Sequence, residues 1–128
     1  RRALVMRQQI GLVAAGGALG AAMRYLIGEW LNGDGFPYAT LTVNLIGSFV
    51  LGMLTVGIAQ QFVSEQMVLV FATGFLGAFT TMSAFSIETV SMFDRGDSTL
   101  AFSYIGITMI VCPFLAFIGW KLGESVWL

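Results

Sequence analysis

The 128-residue chain is 57% hydrophobic and only 10% charged, against roughly 25% charged in soluble domains, so it reads as a protein of the lipid bilayer. Six Lys and Arg against seven Asp and Glu leave a net charge of −1, with no basic footprint for nucleic acid. The absence of histidine removes His-based metal sites, proton relays and Ser-His triads, and the single cysteine, Cys112, has no partner within the chain.

The start, R-R-A-L-V-M-R, is basic, and the apolar run behind it is too long for a signal-peptide core and lacks a convincing cleavage site. An uncleaved first span is expected over about Ile10 to Trp30, with a few foreign residues at a front end that does not begin with Met. Gly16 and Gly20, and Gly17 and Ala21, are small pairs four apart that let another helix approach closely. Arg24 sits near the far end, with Tyr25 and Trp30 as interfacial anchors. It either snorkels to the headgroups or places a fixed positive charge at the mouth of an anion path. Asn32-Gly33-Asp34-Gly35 reads as a turn that Phe36-Pro37 ends.

A second span is expected over about Thr40 to Gln60. Thr40, Asn44, Ser48 and Gly52 recur every four residues, so one face is small and polar and points at a helix or a wet path, not at lipid. The third span, about Met67 to Phe93, is longer than the roughly 20 residues that cross a bilayer. Within it, T-G-F-L-G-A-F-T-T-M-S-A-F-S-I-E from Thr73 to Glu88 combines Gly74 and Gly77 with Thr80, Thr81, Ser83 and Ser86. A backbone that loosens at membrane depth must face protein or water, so this stretch reads as a broken helix that builds an ion site. The plain alternative is an unbroken helix with small residues for close packing. A fourth span is expected over about Leu100 to Trp120, with Tyr104, Thr108 and Cys112 on one stripe and Pro113 kinking or loosening it. The tail from Lys121 to Leu128 is amphipathic. The stripe either lines a path for a hydrogen-bond acceptor or glues helices together.

The expected fold is an all-α membrane protein of four transmembrane helices, one domain over residues 1–128, with both termini on one side. Basic residues number four on the terminal side and two on the other, or two against two without Arg1 and Arg2. So weak a bias gives little orientation and predicts insertion both ways, hence an antiparallel homodimer.

The chain resembles the Fluc/CrcB family of fluoride channels. The resemblance lies in Gly74-Phe75-Leu76-Gly77 through Thr80-Thr81, Ser83, Phe85-Ser86 and Glu88, in Gly35-Phe36-Pro37 followed by Thr40-Leu41-Thr42-Val43-Asn44-Leu45, and in Gly20 with Arg24. It implies a dual-topology homodimer that exports fluoride passively through two pores lined by both subunits, in the plasma membrane (inner membrane) of a bacterium. It further implies a central structural Na⁺ on the backbone carbonyls of Gly77 and Thr80. Fluoride would meet donors from Asn44, Ser83, Tyr104 and Thr108, the ring edge of Phe85, and Cys112. Arg24 would belong to a vestibule, and Thr40 and Glu88 to a polar track near one pore mouth. The sequence departs from the family pattern at Met82, which takes the first of two pore-lining phenylalanine positions with Phe85 at the second, and at Ala78, Ala84 and Cys112, where glycine, threonine and serine are common. These departures bear on fluoride throughput more than on fold or sodium site. Conduction is still expected, because Asn44, Ser83, Phe85 and Tyr104 are kept.

Three other classes are weaker. A small multidrug-type proton-coupled exporter needs a carboxylate in the middle of its first span, where this chain has Arg24 inside and Glu29 only at the end. An accessory subunit needs no inward polar stripes. An enzyme needs a nucleophile beside a base.

Overall fold

The structure, a computed structural model, describes residues 1–128 except Asn32 and Asp34. Part of the turn expected at Asn32-Gly33-Asp34-Gly35 therefore lies outside the described residues. Among the described residues the secondary structure is all helical: α1 (Arg2–Leu31), α2 (Tyr38–Ala59), α3 (Glu65–Met67), a π-helical stretch (Val68–Leu76), α4 (Gly77–Phe79), α5 (Met82–Asp94) and α6 (Ser98–Trp127). Four segments are long and apolar enough to cross a membrane: Arg2–Leu31, Tyr38–Ala59, Glu65–Asp94 and Ser98–Trp127.

Helix α1 starts at Arg2, well before the expected Ile10. The residues between are mostly Ala, Leu, Met, Arg and Gln, all strong helix formers, so the helix runs on past its apolar core. At the other end α6 passes through Pro113 and absorbs the tail as far as Trp127. The tail is held there because the Trp127 indole donates to the Met53 carbonyl at 3.1 Å and its ring stacks on Phe62 with centroids 6.1 Å apart. The third span opens on a short α-turn capped by Ser64, whose hydroxyl accepts from the Met67 amide. It then widens into nine π-helical residues, a form that tends to mark functional positions.

Two helix pairings organise the molecule. Helix α2 packs mainly along α6, and α1 along the π-helical stretch and α4. Both rest on close backbone approach. A Cβ at Gly20 would overlap the Phe75 carbonyl, and one at Gly119 would overlap that of Phe49. Without a water-driven hydrophobic force, such van der Waals contact is what associates helices in lipid. Large apolar side chains such as Leu19, Ile110 and Phe114 lie on the outside, where hydrocarbon rather than water favours them. Inside are two small clusters, Val43 with Leu76 and Phe79, and Phe85 with Met92, Ala101 and Tyr104. They lie on either side of residues 80–81 in the chain.

Candidate functional site

Helical dihedrals give way after Phe79. Thr80 is extended (φ −86°, ψ 156°), and so is Thr81 (φ −153°, ψ 116°), which caps α5 by accepting the Ala84 amide on its hydroxyl. The extended pair is held by the side chain of Asn44. Its Oδ1 accepts the Thr81 N–H at 2.9 Å, while its Nδ2 donates to the Thr81 carbonyl at 3.2 Å. Asn44 thus replaces both backbone partners of one residue, and Thr80 itself is folded back by its hydroxyl on the Leu76 carbonyl.

This arrangement changes which carbonyls are used. In a continuous helix the Gly77 carbonyl would accept from the Thr81 amide and the Thr80 carbonyl from the Ala84 amide. Here the first amide is taken by Asn44 and the second by the Thr81 hydroxyl. The Ala78 carbonyl, whose helical partner would be the Met82 amide, accepts instead from Arg24 Nε at 2.9 Å. Arg24 is half-buried and its Nε is turned onto the third span. Gly77 is exposed on the surface of the chain and Thr80 is half-buried.

A cavity of about 410 Å³ opens beside Thr80–Thr81. Asn44, Gly77, Thr80, Met82, Phe85, Thr108 and Cys112 all line it. The Thr108 hydroxyl is buried and makes no hydrogen bond among the described residues, and a buried donor of that kind is costly unless something reaches it. Met82 is exposed, its side chain standing at the cavity's outer rim. Ser83 is not in the wall. It is exposed and shares a 3.2 Å hydrogen bond with the Thr81 hydroxyl.

Behind Phe85 runs a buried polar line. The Phe85 ring packs on Tyr104 with centroids 4.9 Å apart. Tyr104 donates to one Glu88 oxygen at 3.1 Å and Thr40 donates to the other at 2.9 Å. Glu88 forms part of a second cavity, of about 380 Å³, that Gly33 and residues 35–39 also line. Phe85, Tyr104, Thr40 and Glu88 therefore stand between two hollows.

Among the described residues no group of three His, Cys, Asp or Glu side chains comes together. Sequence reasoning missed Thr81 as the hub of this network, and Phe36, whose ring meets Tyr104 edge-on at 5.5 Å. The available signal for Thr81 was its place as a Thr at the front of a helical run, the usual N-cap chemistry.

Residues 11–120 match the family described as "CrcB-like protein, Camphor Resistance (CrcB)". The chain belongs to the CrcB-like family. Among CrcB-like relatives, a protein of Agrobacterium fabrum is 44% identical over 121 residues, covering 91% of this chain and 97% of the relative. One from Dehalococcoides mccartyi is 45% identical over 120 residues, covering 91% and 92%. One from Rhizobium etli is 45% identical over 105 residues, covering 79% and 84%. All three are named "Fluoride-specific ion channel FluC".

Proposed function

We propose that this chain is a fluoride channel, not an enzyme, that lets fluoride leave the cytoplasm passively across a bacterial inner membrane. The observation that carries the reading is the donor-lined cavity beside Thr80–Thr81, with an unpartnered buried hydroxyl at Thr108, in a chain whose relatives are named fluoride-specific channels.

Fluoride is small and tightly hydrated, so a path for it must supply donors where water is stripped. An amide offers two N–H groups and a hydroxyl one O–H. Asn44 spends one N–H on Thr81 and has a second to offer the cavity. Thr108 and the weaker thiol of Cys112 extend the donor line. Phenylalanine offers its positive ring edge, and Phe85 stands where the cavity meets the buried polar line. Tyr104, Thr40 and Glu88 then continue the path, the carboxylate being held by two hydroxyls. Ser83 joins at the rim through Thr81.

In this reading the interruption at Thr80–Thr81 is a built break at membrane depth, and the released carbonyls of Gly77 and Thr80 are the ligands for a structural Na⁺. Carbonyl oxygens suit a hard cation, and two from one chain leave room for two from a second copy. When bound, such an ion supplies a positive charge that raises the local potential for anions. Arg24 fixes the Ala78 carbonyl between those two ligands. The working unit is then an antiparallel homodimer of one-domain chains with two pores.

The test is fluoride against chloride efflux from liposomes holding the purified protein. Rapid fluoride loss with chloride retained is expected. Background fluoride efflux from a well-folded dimer would overturn the reading.

A further inference from the structure

The second cavity shares Glu88 with the proposed path, but its wall also carries Arg95, which that path does not use. It is roofed by Gly35, Phe36 and Pro37 and floored by Glu88, and Ser91 and Arg95 form its side. Arg95 carries the only positive charge among the described residues of that wall. Its guanidinium does two things. One terminal nitrogen donates to the Gly35 carbonyl in the roof. Its Nε donates to the Asp97 carboxylate at 2.7 Å. The remaining donors of the fork are left for the cavity and the solvent.

Asp97 has no competing duty for its side chain. It precedes α6, yet its carboxylate makes no capping bond. The pair is about half exposed, where an ion pair contributes little to stability. A charge there still shapes the potential at a narrow opening, because low-dielectric walls focus the field. Glu88 on the floor would repel an anion, but both of its oxygens accept hydroxyl donors. The positive charge of Arg95 lines the same cavity.

We propose that Arg95 draws small anions into this loop-side cavity, and that Asp97 sets how strongly it does so by partly cancelling its charge. The inference rests on the channel reading and adds a second, charged mouth to it. It makes a prediction of opposite signs. Arg95→Gln removes the attracting charge. Asp97→Asn removes the cancelling charge while keeping an oxygen that can accept from Arg95 Nε. A role limited to tying the two loops together predicts the same direction for both variants, since both weaken one contact.

The experiment is fluoride efflux from liposomes, read with a fluoride electrode, in potassium gluconate at about 10 mM and about 1 M. The screening length falls from about 30 Å to about 3 Å between these conditions. At low salt Arg95→Gln is expected to slow efflux about threefold and Asp97→Asn to speed it by a similar factor, less than the roughly tenfold or more of fields built from many charges because one charge is involved. At high salt all three proteins should converge. If Arg95→Gln does not fold, Arg95→Lys keeps the charge and should match wild type while Asp97→Asn still speeds efflux. Changes in the same direction, changes that persist at high salt, or no change in either variant would overturn the proposal and leave the channel reading standing. A wild-type protein without fluoride efflux would overturn both.

Discussion

Asn44 holds the extended pair with one amide, which satisfies both the N–H and the carbonyl of Thr81. Asn44→Ala leaves two backbone groups without partners at a depth where water is scarce. Each such group costs about 1–3 kcal/mol. A lower thermal midpoint in detergent and fluoride efflux near background are expected together. Asn44→Asp keeps the oxygen that accepts from Thr81 but loses the donor, so its midpoint should fall between the two. Tyr104→Phe isolates the polar line instead. It removes the hydroxyl that meets Glu88 and keeps the ring that packs on Phe85. Efflux should slow, and stability should fall by about 1–3 kcal/mol because one Glu88 oxygen loses its donor. Met82→Phe is the converse case. Its side chain is 63% exposed, so stability should hold. Efflux should rise, because the new ring edge can face an anion. A slower channel from Met82→Phe would mean that the thioether suits this path better than a ring. Spacing alone put Thr40, Asn44 and Ser48 on one face of the second span. It was silent on where that face points, because the partners of Thr40 and Asn44 lie 48 and 37 residues away. Contacts at that separation are made by packing, which local periodicity does not encode.

The elements were easier to read than their ends. Four apolar runs separated by turn residues required four spans once water was excluded as solvent, because an unpaired backbone is costly in lipid. Their boundaries moved outward in the structure, α1 to Arg2 and α6 to Trp127, since hydropathy marks the membrane and helix propensity does not stop there. The π-helical stretch at Val68–Leu76 had no local signature to read, because apolar residues suit either winding. It adjoins Gly20, where the Phe75 carbonyl fills the space of a side chain. Glycines at such crossings behave differently from glycines on open faces. A Cβ at Gly119 would strike the Phe49 carbonyl, whereas one at Gly106 meets nothing within 4 Å. Gly119→Ala should therefore lose about 1–3 kcal/mol through overpacking. Gly106→Ala on the same helix should gain up to about 1 kcal/mol from helix propensity. Unfolding midpoints of the two variants should fall on opposite sides of wild type. A matched loss in both would mean that α2 and α6 are not held together by backbone approach.

At the scale of the whole molecule, one chain leaves its own interior unfinished. Extended backbone at Thr80–Thr81 and an exposed Gly77 would face hydrocarbon if the chain acted alone, and lipid offers backbone groups no hydrogen bonds. The Gly77 and Thr80 carbonyls, stripped of their helical partners, aggravate this. A second copy meeting the first along this surface would cover it and supply matching carbonyls. For the two surfaces to be the same patch, the copies must be related by a twofold axis. An axis in the membrane plane makes them antiparallel, and that demands a chain able to insert both ways. The charges permit it: Arg7 and Lys121 lie on the side of the termini, joined by Arg1 and Arg2 at the front end, and Arg24 and Arg95 on the other, a bias of two against two without the front pair and too weak to give much orientation. Arg95, on the far side, is paired with Asp97. The expected outcome is a protein mass in detergent of twice 13.8 kDa by light scattering. A C-terminal tag should be labelled from the outside in about half the molecules of intact cells. Replacing Arg24 with Gln would lower the far-side tally and should pull the labelled fraction away from one half. A tag found on one face in every wild-type molecule would leave the open backbone without its cover and dismantle the antiparallel arrangement.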